Sequence, residues 1–113
     1  MSEAACLERV TADGERAITE VLALYRGVFP GWEREPEARV CARIRSGRYR
    51  CERATTPRDG TVGLAIVDVL PHLGCGVLTF VAVAACWRGR GVARALTRAA
   101  VARFDAAGAG GWL

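Results

Sequence analysis

Residues 76–96, GVLTFVAVAACWRGRGVARAL, decide the fold of this chain. The first part, 76–86, is the most apolar segment of the sequence and predicts a central strand that is buried on both faces. A glycine-bearing turn follows, and from 92 to 107 the apolar residues return at helical spacing. The segment therefore predicts a buried strand, a tight turn and an amphipathic helix in direct succession. The residues expected on the buried face of this helix are Ala93, Leu96, Ala100 and Phe104.

The turn between this strand and this helix predicts an anion-binding site. The first N–H groups of a helix have no partner within the helix, and the helix dipole places positive charge at the same end. Gly89 and Gly91 lack a Cβ, so an anion can approach the backbone closely. Arg88 and Arg90 can add charge-assisted hydrogen bonds. The pattern therefore indicates a site for a phosphate-bearing ligand.

Two common phosphate-binding motifs are excluded by individual residues. A dinucleotide fingerprint, G-x-G-x-x-G, needs a small residue where Arg94 stands, and it belongs to the first strand of a βαβ unit. A Walker A loop needs a lysine, and the sequence contains none.

The rest of the chain predicts a mixture of helices and strands. Apolar spacing of three and four residues indicates helices, whereas β-branched and alternating stretches indicate strands. The order is β-α-α-β-β-β-α, an α/β (α+β) chain in which a hairpin leads into the strand–turn–helix unit. The earlier elements are a strand at 7–12, a helix at 14–28 capped by Asp13, a helix that starts near Glu35 and ends at Gly47, and strands at 49–55 and 61–70. Trp112 and Leu113 are expected to begin a further strand.

Length and composition limit the class of protein. The chain has 113 residues, of which 51% are hydrophobic and 25% charged, as in a globular protein with one domain. No apolar run reaches the roughly 17–25 residues that a membrane helix needs. The first ten residues lack the apolar core of a signal peptide, and the odd number of cysteines suits reduced thiols. We therefore expect a cytoplasmic protein with no membrane partner.

Cysteine spacing and charge speak against a metal site and against a nucleic-acid interface. The five cysteines form no CxxC pair, and His72 has no ligand neighbour at helical spacing. Cys41 and Cys86 lie in apolar stretches and are expected in the core. The net charge of +4 would suit a nucleic acid, but the arginines are scattered and no aromatic platform accompanies them. We expect no metal and no nucleic-acid partner.

Arg88, Gly91 and Ala93 occupy the three fixed positions of a known loop. The turn resembles the acyl-CoA pyrophosphate loop, Arg/Gln-x-x-Gly-x-Gly/Ala, of the GCN5-related N-acetyltransferase (GNAT) superfamily. The order of the elements is also similar to that of the family. The resemblance therefore covers nearly the whole chain, and its specific part lies at 80–104.

The resemblance implies a fold, a reaction and a cofactor. The fold is a mixed, mainly antiparallel central sheet flanked by helices, in a single acyl-CoA-binding domain over residues 1–113. The reaction is transfer of an acetyl group from acetyl-CoA to an amine, by direct attack of the amine. The resemblance implies that the pantetheine arm pairs with the strand and that the turn binds the pyrophosphate. The implied cofactor-binding residues are Val81, Val83, Arg88, Gly89, Arg90, Gly91, Val92 and Ala93. The sequence does not identify the acceptor amine.

The sequence departs from the family pattern at the position of the general base. Many members carry a glutamate on the strand that corresponds to 76–86, and this segment has no carboxylate. The candidate bases are Asp68 on the preceding strand and Glu33, with Glu35 beside it, after the first helix. The catalytic residues stay unassigned at this point.

The C-terminal part of the family pattern is also missing. The usual β-α-β-β that follows the third helix is absent from these 113 residues, so the sequence looks truncated. The strand at 76–86 would then be an exposed apolar edge. Two interpretations stay open. The chain is an acetyltransferase, or it is a non-catalytic or truncated acetyltransferase-like domain that pairs with a partner chain or a second copy through this edge.

Overall fold

A computed structural model of the chain describes residues 4–108 and 111–112. The described elements follow the order that the sequence predicts, and a strand at Gly111–Trp112 comes after the third helix. Short 3-10 turns at Pro71–Leu73 and Ala85–Trp87 flank the fourth strand. The bounds are β1 Cys6–Arg9, α1 Glu15–Val28, α2 Glu37–Ser46, β2 Tyr49–Thr56, β3 Gly60–Leu70, β4 Cys75–Val83, α3 Val92–Ala106 and β5 Gly111–Trp112.

One five-stranded sheet organises the protein. Its strands lie side by side in the order β1-β2-β3-β4-β5; the first four are antiparallel, and β5 runs parallel to β4. Alternate residues of β3 point to opposite faces, so Leu64 and Ile66 pack under α1 and α2, whereas Ala65 and Val67 pack under α3. The predicted mixed, mainly antiparallel sheet flanked by helices is therefore confirmed.

The fourth strand differs from its prediction in length and in burial. It ends at Val83, and Cys86 lies in the 3-10 turn beyond it, exposed to solvent, so the prediction of Cys86 in the core is wrong. The middle of the strand is also exposed at Leu78 and Thr79. A β-bulge lies at this point: Ile66 pairs with Phe80, but the next residue of β3 pairs with Leu78. An extra residue bends the strand, and in the described residues β5 pairs with it only at its first two positions.

Two helix starts also differ from their predictions. Gly14 rather than Asp13 stands at the N-cap of α1, without a side-chain hydrogen bond. The second helix starts at Glu37, with Pro36 at its N-cap, rather than near Glu35. The buried face of α3 begins with Val92, and Ala93 faces solvent. Buried residues recur at every fourth position of α3, at Val92, Leu96, Ala100 and Phe104. Ala93 follows Val92 directly, so its side chain points about 100° away from this buried face.

Cys41 is half-buried, and the left-handed Gly47 ends α2 as predicted.

Two glycines of the sheet allow α3 to lie close to it. A Cβ on Gly63 would be 2.8 Å from Leu96 Cδ1 and 2.9 Å from Val92 Cγ1. A Cβ on Gly76 would be 2.8 Å from the Phe104 ring. The glycines lie on neighbouring strands, β3 and β4, under the two ends of the helix. They therefore set both the depth and the position of α3 on the sheet.

We expect Gly63→Ala to destabilise the protein, because the new methyl group overpacks the contact with α3. The expected loss is about 1–3 kcal/mol in the free energy of unfolding, measured by urea denaturation. Gly27→Ala is the control: this helical glycine has nothing within 4 Å of its Cβ position, and alanine there should stabilise α1 by up to about 1 kcal/mol. Equal effects of the two substitutions would contradict the proposed role of Gly63.

A buried carboxylate lies under the same helix. Glu52 on β2 is only 2% exposed, and its Oε1 accepts a hydrogen bond of 2.6 Å from Arg103 Nε of α3. Burial raises the pKa of Glu52, and the hydrogen bond and charge of Arg103 and the charge of Arg9 offset only part of that rise. The ionised carboxylate is therefore less favourable in the folded protein than in the unfolded chain.

This pKa shift predicts the sign of a pH dependence. As the pH rises, Glu52 loses its proton at a lower pH in the unfolded chain than in the folded protein. Its contribution to stability is therefore complete below about pH 4, and it is lost as the pH rises through the pKa that Glu52 has in the folded protein. Glu52→Gln cannot titrate. We expect the unfolding free energy of the wild type, minus that of the variant, to fall between pH 4 and pH 7 in urea titrations. A difference that rises with pH would show that the attraction of Arg103 outweighs burial.

Candidate functional site

The turn between β4 and α3 has two residues in the left-handed conformation. Gly89 has a φ of +77° and Gly91 a φ of +81°. A side chain at either position would strain the backbone by roughly 1–2 kcal/mol. A Cβ built at either position meets no atom within 4 Å, so the turn faces open space. The backbone is thus accessible to a ligand where the helix begins.

The first N–H groups of α3 are available to that ligand. Gly91 caps the helix without a side-chain hydrogen bond, and the first bond of the helix runs from the Ala95 N–H to the Gly91 carbonyl at 3.0 Å. Within the described ranges, the N–H groups of Val92, Ala93 and Arg94 have no acceptor. Three donors and the positive end of a 15-residue helix therefore converge on one point.

A cleft of about 270 Å³ lies at this point and contains six of the eight residues predicted to bind the cofactor. Of the other two, Val81 packs against the core under α3, and Arg90 lies on the far side of the turn. Arg94 lines the cleft but was not predicted to belong to it; its position in the first turn of the helix was the available signal. The lining residues are Val83, Trp87, Arg88, Gly89, Gly91, Val92, Ala93 and Arg94.

Neighbouring elements hold the turn in place. The indole Nε1 of buried Trp87 donates a hydrogen bond of 3.0 Å to Asp59 Oδ2, in the loop between β2 and β3. Arg88 Nε donates to the Val83 carbonyl at 3.3 Å, which ties the turn to the end of β4. Sequence analysis missed Asp59, because no local pattern connects two residues 28 positions apart.

The charge around the cleft is positive. The side chains of Arg88, Arg90 and Arg94 are exposed and form no ion pair within the part of the chain that the structure describes. The residues that line the cleft include no carboxylate. Three guanidinium groups and a helix N-terminus together favour a ligand with more than one negative charge.

The candidate bases do not reach this cleft. Asp68 lies on β3 opposite Val77, on the sheet face that α1 and α2 cover. Its two oxygens accept hydrogen bonds from Arg48, at 2.8 Å from Nε and 3.4 Å from Nη2. Glu33 is exposed in the loop before α2 and has no hydrogen bond from a side chain among the described residues. The structure therefore separates both candidates from the turn.

Glu35 is engaged on the same sheet face as Asp68. Its Oε1 accepts a hydrogen bond of 2.5 Å from the Tyr49 hydroxyl, and its Oε2 accepts one of 3.0 Å from Arg43 Nη1. Burial, and the hydrogen bond to Glu35, raise the pKa of Tyr49. The Tyr25 hydroxyl donates to the Glu35 carbonyl oxygen at 3.1 Å. These bonds fasten the loop before α2 to the sheet.

Two further observations concern metals and membranes. The described residues contain no group of three His, Cys, Asp or Glu side chains that could hold a metal ion. None of the helices in the described ranges is long and apolar enough to cross a membrane.

Comparisons with known proteins place the chain among acetyltransferases. The model of the Acetyltransferase (GNAT) family matches residues 18–113. A search of curated proteins finds no match. An aminoglycoside acetyltransferase from an uncultured soil metagenomic sample, solved in complex with trehalose, has a TM-score of 0.77 and 14% identity, over 96% of this chain and 75% of that one.

Two other solved structures share the fold. AAC(6')-Iy, in complex with the bisubstrate analogue CoA-S-monomethyl-acetylneamine, has a TM-score of 0.74 and 19% identity, over 96% of this chain and 77% of that one. The ribosomal-protein-alanine N-acetyltransferase from Brucella melitensis biovar Abortus 2308 has a TM-score of 0.69 and 17% identity, over 97% of this chain and 78% of that one.

Proposed function

This chain belongs to the acetyltransferase (GNAT) family, and we propose on that premise that residues 1–113 form one acyl-CoA-binding domain that transfers an acetyl group to an amine. The observation that carries the proposal is the cleft at the start of α3. Its free N–H groups, its two left-handed glycines and the arginines around it converge on one anion site.

The residues present fit the diphosphate of acetyl-CoA. A diphosphate needs several hydrogen-bond donors, close access to the backbone and positive charge, with no carboxylate beside it. The cleft meets each of these needs. Val92, Ala93 and Arg94 would donate their N–H groups, and the side chain of Arg88 would pair with a phosphate oxygen. When bound, acetyl-CoA supplies an activated acetyl thioester.

The free edge of β4 suits the pantetheine arm. The Ala84 N–H donates to the Val62 carbonyl at 2.8 Å, so Ala84 faces β3. Backbone directions alternate along a strand, and Val81 and Val83 therefore turn their N–H and C=O groups to the opposite edge. In the described residues β5 pairs with β4 only at Cys75 and Gly76. This leaves the N–H groups of Val81 and Val83 and the Val81 C=O open to the amide groups of a bound arm, whereas the Val83 C=O already accepts a hydrogen bond from Arg88 Nε.

The chain's own residues suggest how acetyl transfer is assisted. A backbone N–H of the open edge near Val83 would donate to the oxyanion that forms as the amine attacks. Asp68 and Glu33 are the candidate acceptors for the amine proton. Both oxygens of Asp68 are engaged by Arg48, and this favours Glu33.

Substitutions in the turn test the proposal by calorimetric titration with CoA. We expect Arg88→Ala to weaken binding about tenfold or more, because it removes a charge-assisted hydrogen bond to phosphate. Gly91→Ala should also weaken binding, because alanine resists the left-handed conformation that presents the N–H groups.

Two variants serve as controls for this titration. Gly74→Ala introduces alanine at another left-handed glycine with open space, remote from the cleft, so it carries similar strain without a ligand contact. Arg98→Ala removes an exposed charge from α3 outside the lining. Wild-type affinity in the turn variants, or no saturable binding by the folded wild type, would refute the proposal.

A second candidate function comes from the same edge of β4. Among the described residues the strand has no partner on this side beyond Gly76, and Leu78 is exposed there. An open apolar edge can pair with a strand of another chain. In this alternative the domain is non-catalytic and binds a second copy or a partner chain.

Light scattering distinguishes the two functions. A dimer that dissociates on Leu78→Lys would support the alternative, because a lysine blocks pairing at a sheet edge. A monomer that turns over acetyl-CoA with an amine would contradict it.

A further inference from the structure

A small cleft lies beside the buried carboxylate of Glu52, on the face of the sheet that α3 covers. Its volume is about 110 Å³. None of its residues lines the cleft at the start of α3, and Ala100, where it meets the helix, is about 12 Å along the helix from Val92. This Glu52 cleft is therefore a separate feature of the molecule. The lining residues are Arg9, Arg50, Glu52, Val67, Ala100, Arg103, Phe104 and Ala107.

Three arginines converge on the Glu52 cleft from three different elements. Arg9 ends β1 directly opposite Glu52 of β2. Arg50 lies two residues before Glu52 on β2, so its side chain leaves the sheet on the same face. Arg103 comes from the last turn of α3. The fold thus brings together three cations that are far apart in sequence.

Most hydrogen-bond donors of these arginines are unused. Within the ranges that the structure describes, Arg9 and Arg50 form no ion pair, and Arg103 pairs only through its Nε, at 2.6 Å from Glu52 Oε1. The guanidinium carbon of Arg50 lies 5.9 Å from the centroid of the Phe104 ring, within range of a cation–π interaction that holds it at the cleft. The cleft therefore offers several N–H groups to a ligand.

The charges that line the Glu52 cleft do not balance. Three guanidinium groups face one carboxylate, so the side chains carry a net charge of +2 even when Glu52 is ionised. The carbonyl end of α3, beside Ala107, adds about half a negative charge, and the lining stays positive. The cleft has several times the volume of one water molecule, about 30 Å³, and so has room for an ion with four oxygens.

We propose that the Glu52 cleft binds a small oxoanion with two negative charges, of the class of sulfate and inorganic phosphate. Arg9, Arg50 and the two Nη groups of Arg103 donate to its oxygens, because guanidinium groups match the geometry of such anions. Glu52 acts as a positioning residue that fixes Arg103 through its Nε. The bound anion links β1, β2 and α3 at the end of the helix remote from the turn, and this proposal does not depend on the acetyltransferase function.

Urea denaturation of the full chain in sodium sulfate tests the site, because an anion that binds only the folded protein raises its free energy of unfolding. We expect a stabilisation that saturates as sulfate replaces chloride at constant ionic strength. Sulfate also stabilises proteins by exclusion from their surface, but that effect does not saturate and is common to all variants. Arg9→Gln and Arg50→Gln should each raise the sulfate concentration at half-saturation about tenfold or more.

Two control variants separate this site from other anion effects. Arg98→Gln removes an exposed charge of α3 outside the lining of the Glu52 cleft. Arg88→Ala removes the arginine of the turn, where sulfate could also bind. Both controls should keep the half-saturation of the wild type.

Each outcome decides for or against the Glu52 cleft. Saturable stabilisation that both Arg9→Gln and Arg50→Gln weaken, and that both controls retain, supports the proposal. No saturable stabilisation of the wild type, or a wild-type response in the Arg9 and Arg50 variants, overturns it. The proposal is also overturned if Arg98→Gln or Arg88→Ala weakens the response as much, because sulfate then senses the overall charge or binds at the turn.

Discussion

The close contact of α3 with the sheet is the constraint on which the candidate site depends. Among the described residues, Gly63 and Gly76 are the two glycines where an added methyl group would push the helix away. The N-terminal contact is with Gly63, which pairs with Val83 at the end of β4, so the helix begins beside that strand end. Eight residues, 84–91, then connect Val83 to Val92 and bring the backbone N–H groups of the helix to the open strand edge. The anion site and the strand edge adjoin because of that packing.

Much of this arrangement could be predicted because local patterns determine it. The change from an apolar run to helical spacing marks the strand and the helix, and the glycines between them mark the turn. The end of β4 and its exposed middle could not be predicted. A bulge opposite β3 lies at the exposed middle, and a 3-10 turn follows the end; no spacing within β4 reveals either feature. The same limit applies to Cys86, whose apolar neighbours suggested a core position that the 3-10 turn removes.

In the candidate site, too, local features could be predicted and long-range contacts could not. Six of the predicted cofactor residues share one cleft because they are near one another in sequence. The ion pair of Asp68 with Arg48 joins residues 20 positions apart, and the bond of Glu35 to Tyr49 joins residues 14 apart. Pairings at such separations depend on strand register and helix position. The sequence therefore identified these carboxylates as candidates, but it could not show that they already accept hydrogen bonds from other side chains.

The bonds that hold the turn have an energetic consequence. Trp87 is anchored to Asp59, Arg88 to the Val83 carbonyl, and the two glycines already have the backbone angles that present the N–H groups. A loop that is ordered only when a ligand arrives loses conformational entropy at that moment, and this loss weakens its affinity. Here folding has already supplied that order, so more of the attraction between phosphate and turn is retained as binding free energy.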